Sequence, residues 1–268
     1  MTPPFSPSPE IAPQSAMITD RAVVRPAYAI IPGAAIKENV RSILPGWQGT
    51  RAWILAGPGI GHAVNFAQYL VYLDPHGGSA SPEHQAEVQG FVYVLEGEVS
   101  LTLDGRTETL GPGCFAFAPA GARWEVFNKA DREARFLWLR KRFEPLGEAM
   151  PAAIIGDERL LPCHAMPTSD AVSATCLIPT DDIAYDMHMN VVEFGPGTCI
   201  SAIEAHVMEH GLYMLQGKGM YLLNETWHEV RAGDFIWMRA FCPQAYYAGG
   251  PEPTRYLLYK NVNRQILL

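Results

Sequence analysis

Gly90-Phe91-Val92-Tyr93-Val94-Leu95-Glu96-Gly97 and, 120 residues on, His210-Gly211-Leu212-Tyr213-Met214-Leu215-Gln216-Gly217 are two versions of one apolar run closed by a glycine. Tyr93 aligns with Tyr213, Leu95 with Leu215 and Gly97 with Gly217. The register extends outward without a gap. Upstream, Gly77 meets Gly197; downstream, Leu103 meets Leu223, Gly113 meets Gly233, Phe115 meets Phe235, Arg135 meets Arg255 and Leu137 meets Leu257. A fixed period held over more than 60 residues means two copies of one module. The stretch from Gly147 to about Thr180, with Pro151, Pro162, Pro167 and Pro179, reads as their connection, with the boundary near residue 160. The expected layout is a tail over 1–17, an N-terminal module over 18–160 and a C-terminal module over 161–268. The tail is rich in Pro and Ser and is expected to be disordered or loosely laid on the surface.

The module is β. Short apolar runs recur every eight to twelve positions between turn residues: Phe66–Leu73, Gly90–Leu95, Glu98–Leu103, Arg106–Leu110, Cys114–Ala118, Trp124–Asn128 and Arg135–Leu139. Asp104-Gly105 is a two-residue hairpin signal, because both residues tolerate the left-handed backbone of a tight turn. Ala22 to Ile31 alternates weakly and reads as a further strand. Long amphipathic helical patterns are nearly absent, so the fold class is all-β, a sandwich or barrel.

Composition narrows the function. The 268 residues are 48% hydrophobic, enough for a sizeable core. No apolar run reaches 18 residues, and Met1-Thr2-Pro3-Pro4-Phe5 has no basic start or apolar h-region. A net charge of -8 without a large basic cluster argues against nucleic acid or an anionic membrane as partner. Arg140-Lys141-Arg142 reads as a solvated strand end. Cys114, Cys163, Cys176, Cys199 and Cys242 are odd in number, scattered and free of any CxxC, which fits reduced thiols in a cytoplasmic protein.

The chemistry concentrates in Glu204-Ala205-His206-Val207-Met208-Glu209-His210. Glu204 and His206 are two apart, so on a strand they would share a face. A carboxylate and two imidazoles on one side of a sheet make half of a divalent-metal site, and Gln244 is the candidate fourth ligand. Hard oxygens with two imidazole nitrogens suit Mn²⁺ or Fe²⁺. No thiolate is expected nearby, Cys242 being expected to face away.

Each copy resembles a cupin, a small double-sheet β barrel. The family's first motif is Gly, His-x-His, Glu and Gly, and its second is Gly, Pro-x-Gly, His and Asn. The N-terminal copy shows the second motif as Gly113, Pro119, Gly121, Trp124 and Asn128, and the first as Gly77, His84, Ala86, Gly90 and Gly97. Only His84 survives of four ligand positions, so this copy is expected to be metal-free and structural. The C-terminal copy reads Gly197, Glu204, His206, His210, Gly217, Gly233 and Gln244. The likeness implies a bicupin, two tandem double-stranded β-helix (jelly-roll) barrels in one chain.

Glu-x-His-x3-His with a later Gln further resembles the (S)-ureidoglycine aminohydrolase family, manganese bicupins of purine (allantoin) breakdown. That resemblance implies Mn²⁺ on Glu204, His206, His210 and Gln244, and a small-molecule substrate held by Glu204, Tyr221, Tyr256 and Lys260. Glu204 and Lys260 are then the catalytic candidates, and a homo-oligomer is expected. Tyr256 and Lys260 are four apart and share a face of one strand. Lys260 either meets an anion inside the barrel or reaches solvent from the strand end. The rival functions are another metal-dependent cupin enzyme, a dioxygenase or isomerase, and a non-catalytic bicupin that binds a small molecule.

Overall fold

The computed structural model describes residues 21–36, 44–58, 64–166 and 169–265. The tail over 1–17 lies outside them. The chain begins with β1 (Val23–Val24) and β2 (Tyr28–Ile31). The expected strand over Ala22 to Ile31 is thus two pieces, split around Pro26, whose nitrogen cannot donate to a ladder. The first repeat follows: β3 (Gln48–Ala56), β4 (Phe66–Ser79), β5 (Val88–Glu96), β6 (Val99–Leu103), β7 (Arg106–Leu110), β8 (Cys114–Ala118), β9 (Trp124–Phe127) and β10 (Ala134–Arg142). The connection carries β11 (Ile154–Asp157) and β12 (Cys163–Met166). The second repeat is β13 (Ser169–Cys176), β14 (Met187–Phe194), β15 (His210–Gln216), β16 (Lys218–Leu223), β17 (Thr226–Arg231), β18 (Phe235–Met238), β19 (Gln244–Gly249) and β20 (Thr254–Asn261).

The period of 120 survives strand by strand. β5 runs between β8 and β10, as β15 runs between β18 and β20. Gly97 and Gly217 end these strands at φ +70 and +75, where an L side chain is strained. Asp104 and Gly105, at φ 49 and 84, close the β6–β7 hairpin with Leu103 opposite Arg106, the turn their sequence demands.

One feature of the sheets was not visible in the sequence. β2 pairs with β18 of the second repeat, Ile30 facing Ile236. β11 pairs with β8 of the first, Ile155 facing Ala116. Each barrel therefore has its edge strand supplied by chain outside its own repeat, and Tyr28–Ile31, drawn by sequence into the 18–160 module, hydrogen-bonds in the sheet of the second barrel. β2 pairs on one side with β1 and leaves its other edge open, and an unpaired edge is filled by whatever strand the tertiary fold delivers.

The two large sheets pack back to back. One face of β15 and β20 gives Tyr213, Leu257 and Tyr259 to a core shared with Tyr93, Phe115 and Leu137 of the first barrel. The other face gives Leu212, Met214, Tyr256 and Leu258 to the second barrel's own interior. The alternation along each strand thus separates an inter-barrel face from a site face. At the seam, Phe66 of β4 lies over Gly211, its ring 4.3 Å from that of Tyr259. A Cβ on Gly211 would stand 2.7 Å from Phe66 Cζ. Gly211→Ala is therefore expected to lower unfolding free energy by about 1–3 kcal/mol, the usual effect of overpacking a filled core. Urea denaturation checks this; an unchanged midpoint would mean that the seam has slack.

The run Arg140-Lys141-Arg142 corrects a sequence expectation. Of the three only Arg142, the last residue of β10, is exposed as expected. Lys141 is 3% exposed, and its Nζ lies 2.5 Å from Oδ2 of Asp186, a fully buried residue just before β14. Gln89 Nε2 and the Glu144 backbone N–H donate to the same carboxylate. Position along the strand set the exposure, because β10 is the central partner of both β4 and β5.

Candidate metal centre

His210 opens β15, facing inward with Leu212 and Met214. Across the ladder it is opposite Lys260 of β20, whose inner face also carries Tyr256 and Leu258. Tyr221 and Gln244 come from β16 and β19, in the smaller three-stranded sheet that forms the opposite wall. Glu204 and His206 are not on a strand, contrary to expectation. They lie in the connection between β14 and β15. Glu204 exchanges two backbone hydrogen bonds with Gln244, at 2.9 and 2.8 Å, and Phe241 N donates to His206 O at 2.7 Å. The connection is thus tied to β19 and the turn before it by scattered backbone bonds, and two isolated bridges, Cys199 to Tyr247 and Glu204 to Gln244, replace a continuous ladder.

These contacts bring the side chains together. Gln244 Nε2 is 2.9 Å from His206 Nε2 and 3.5 Å from His210 Nδ1, and the two imidazole centroids are 4.7 Å apart. Tyr221 Oη donates to Gln244 Oε1 at 2.9 Å. A cavity of about 100 Å³ is lined by Glu204, His206, His210, Tyr221, Gln244, Tyr256 and Lys260, which are all the residues singled out by sequence. His210 and Gln244 are buried, His206 is half-buried, and Glu204 stands exposed at the rim. Cys242, expected to face away, packs in the same inner cluster as Tyr221. Burial raises its thiol pKa, which keeps it a thiol rather than a thiolate ligand.

Electrostatics make the imidazoles donors of lone pairs. Burial holds His210 well below the usual histidine pKa, helped by the nearby His206 and Lys260. Burial also lowers His206, although Glu204 opposes the shift. Both rings are neutral near pH 7, and His210 Nε2 and His206 Nδ1 are buried without a hydrogen-bond partner. Burial lowers Lys260 as well, partly offset by Cys176 and Glu204. Among the described residues no carboxylate comes within ion-pair distance of its Nζ. Burial pushes Tyr221 and Tyr256 upward, so both stay protonated and can donate.

The donor set fits a divalent metal in chemistry. Two neutral imidazoles that turn His206 Nε2 and His210 Nδ1 to the Gln244 amide, and a carboxylate, line one cavity. Among the described residues no three His, Cys, Asp or Glu side chains are already clustered as a cage. The amide of Gln244 is the group between the imidazoles, and Glu204 closes the set from the rim.

Sequence reasoning missed Glu209, which lies beside His210. It is 2% exposed, accepts from Trp237 Nε1 at 2.7 Å and from Asn65, and its own N–H donates to Asn261 Oδ1 at 2.6 Å. Burial pushes its carboxyl up to about 7. It pins the start of β15 and so the position of His210. No spacing signal marks it, because its partners come from 28 to 144 residues away.

The equivalent place in the first barrel is built differently. Trp124, at the position of Gln244, packs edge-on to Trp138, 5.9 Å between centroids, and Trp47 covers Trp138 at 5.2 Å. Arg140, at the position of Lys260, pairs with Glu83 through two hydrogen bonds and lies over the Trp138 ring. Its charge is met internally, and indole fills the space beside Gly90.

Paired back-to-back barrels with a polar donor set in only the second define a bicupin. The cupin domain family matches residues 69–140 and 190–259, the two repeats. The (S)-ureidoglycine aminohydrolase of Arabidopsis thaliana is 32% identical over 248 residues, covering 92% of this chain and 80% of that protein. That of Escherichia coli K12 is 29% identical over 252 residues, covering 93% and 94%. A Pseudomonas aeruginosa crystal structure, named as a glyoxylate-induced protein, superposes with a TM-score of 0.88 at 44% identity over 94% of each chain. The chain belongs to the cupin family and, within it, to the (S)-ureidoglycine aminohydrolases.

Proposed function

We propose that this protein is an (S)-ureidoglycine aminohydrolase of purine catabolism, converting (S)-ureidoglycine and water to (S)-ureidoglycolate and ammonia with Mn²⁺. The observation that carries this is the convergence of Glu204, His206, His210 and Gln244 with Lys260, Tyr221 and Tyr256 on one cavity. Glu204, His206, His210 and Gln244 would hold the ion, a half-turn of the Gln244 amide exchanging its nitrogen for its oxygen beside the imidazoles. When bound, the metal supplies Lewis-acid anchoring of the substrate.

The residues of the chain account for the remaining steps. Lys260, half-buried and without a protein counter-ion, takes the substrate carboxylate. Tyr221 and Tyr256 donate hydrogen bonds from the floor. Glu204, at the rim where water enters, takes a proton from water and delivers it to the departing amine. The C–O bond to water forms as the C–N bond to the amine breaks. Scattered free cysteines support a cytoplasmic setting. The exposed Met220, Trp227 and Tyr247 on the outer face of the small sheet support a homo-oligomer. Ammonia release from ureidoglycine generated in place, with metal analysis of the same sample, tests the reading; metal-loaded protein that releases no ammonia sinks it.

Lys260→Met is expected to lower kcat/KM about ten- to a hundred-fold with metal content unchanged, since one charge-assisted hydrogen bond contributes roughly 1.5–3 kcal/mol. Lys260→Arg is expected not to rescue fully, a planar guanidinium needing more room than an ammonium. Wild-type steady-state rates in Lys260→Met would remove the carboxylate role.

A further inference from the structure

The inner wall of the second barrel carries two polar side chains that the steps above leave unused. His188 and Asn190 stand two apart on β14 and are 8% and 6% exposed. Their neighbours Met187, Met189 and Val191 face the inter-barrel core, so His188 and Asn190 face inward with Val192 and Phe194. His188 is the cross-strand partner of Lys260, and Asn190 of Leu258; Lys260 and Leu258 line the cavity, and His188 and Asn190 stand one strand further along the same wall, beside the lining residues Val192 and Phe194 of β14. His188 Nε2 and Asn190 Oδ1 are buried with no hydrogen-bond partner. Two such atoms lower the stability of an apolar barrel and have no folding rationale.

We propose that His188 and Asn190 form a subsite for the ureido group, His188 Nε2–H donating to its carbonyl oxygen and Asn190 Oδ1 accepting from its terminal NH₂. The assignment rests on the ureidoglycine reading and deepens it. Burial and the neighbouring Lys260 lower the His188 pKa to about 4, so the ring is neutral and can carry its single proton on Nε2. The order across the sheet is His210, Lys260, His188, with strands about 5 Å apart. Carboxylate and ureido group are then met side by side, and the reacting amine is turned toward His206 and His210. A carbon whose three polar substituents each meet a different partner fits in one hand only, which accounts for selection of a single enantiomer.

Two stable acids separate this subsite from the rest of the pocket. N-carbamoylglycine has the carboxylate and the ureido group; N-acetylglycine has a methyl in place of the terminal NH₂. Calorimetry on wild-type protein supplied with Mn²⁺ is expected to show N-carbamoylglycine bound about ten-fold tighter, the size of one net hydrogen bond. Asn190→Leu is expected to abolish that preference. Its Tm should hold or rise, because an unpaired buried amide gives way to an apolar side chain of similar size. His188→Gln, which keeps a donor, is expected to retain more affinity for N-carbamoylglycine than His188→Leu. Equal binding of the two acids by wild type, or a preference that persists in Asn190→Leu, overturns the subsite. Both results are read without turnover. Failure of the wild type to release ammonia would instead count against the ureidoglycine reading.

Discussion

Replacing His206 or His210 by alanine is expected to strip most bound metal and, with it, ammonia release. Each ring is neutral and turns a nitrogen to the Gln244 amide, His206 Nε2 at 2.9 Å and His210 Nδ1 at 3.5 Å, so each can offer a lone pair there. Loss of an outer partner of a metal ligand already costs roughly 10–100-fold in affinity, and loss of the ligand itself costs more. The remnant is one imidazole with two oxygen donors, of which Glu204 is exposed at the rim. Metal analysis after dialysis reads the effect directly. His84→Ala is the control. His84 is exposed, and its barrel offers Ala86, Gly90 and the packed Trp124 where the second offers donors. Metal retained at wild-type stoichiometry in both His206→Ala and His210→Ala, or lost in His84→Ala, would relocate the centre.

The second large effect concerns stability. Lys141→Met leaves the Asp186 carboxylate fully buried, with Gln89 and the Glu144 N–H as its remaining donors. Breaking a buried pair from one side costs about 3–5 kcal/mol, because the desolvated charge that remains has lost its counter-ion. The pair joins β10 of the first barrel to the entry of β14 in the second, so the loss acts on the seam between repeats. Lys141→Met combined with Asp186→Leu is expected to recover most of it, since replacing both charges by apolar groups is often neutral or better. Guanidinium unfolding of the three proteins forms a double-mutant cycle. Equal stability of Lys141→Met and wild type would falsify the ion pair as a fastener of the two barrels.

The sequence by itself determined the module and its duplication. Turn glycines, alternating runs and a constant period are local signals, and strands at Arg106–Leu110 and Cys114–Ala118 form where those signals put them. It also singled out residues that the fold brings together: Glu204, His206, His210, Gln244, Tyr221, Tyr256 and Lys260 line one cavity. The tertiary structure alone decided how they converge. Glu204 and His206 reach the site from a connection tied to β19 and to the turn before it, not from a strand, because isolated bridges to a distant element replaced a ladder. It decided that Lys141, one of three consecutive cations, is buried against Asp186 while Lys260 meets no carboxylate among the described residues, because what faces each charge lies on another element. It assigned β2 to the second barrel and β11, from the connection, to the edge of the first, and it turned His188 and Asn190 inward beside Lys260. Alternation tells which residues share a face, but which face looks into a barrel and which into the seam is fixed only when two sheets pack back to back.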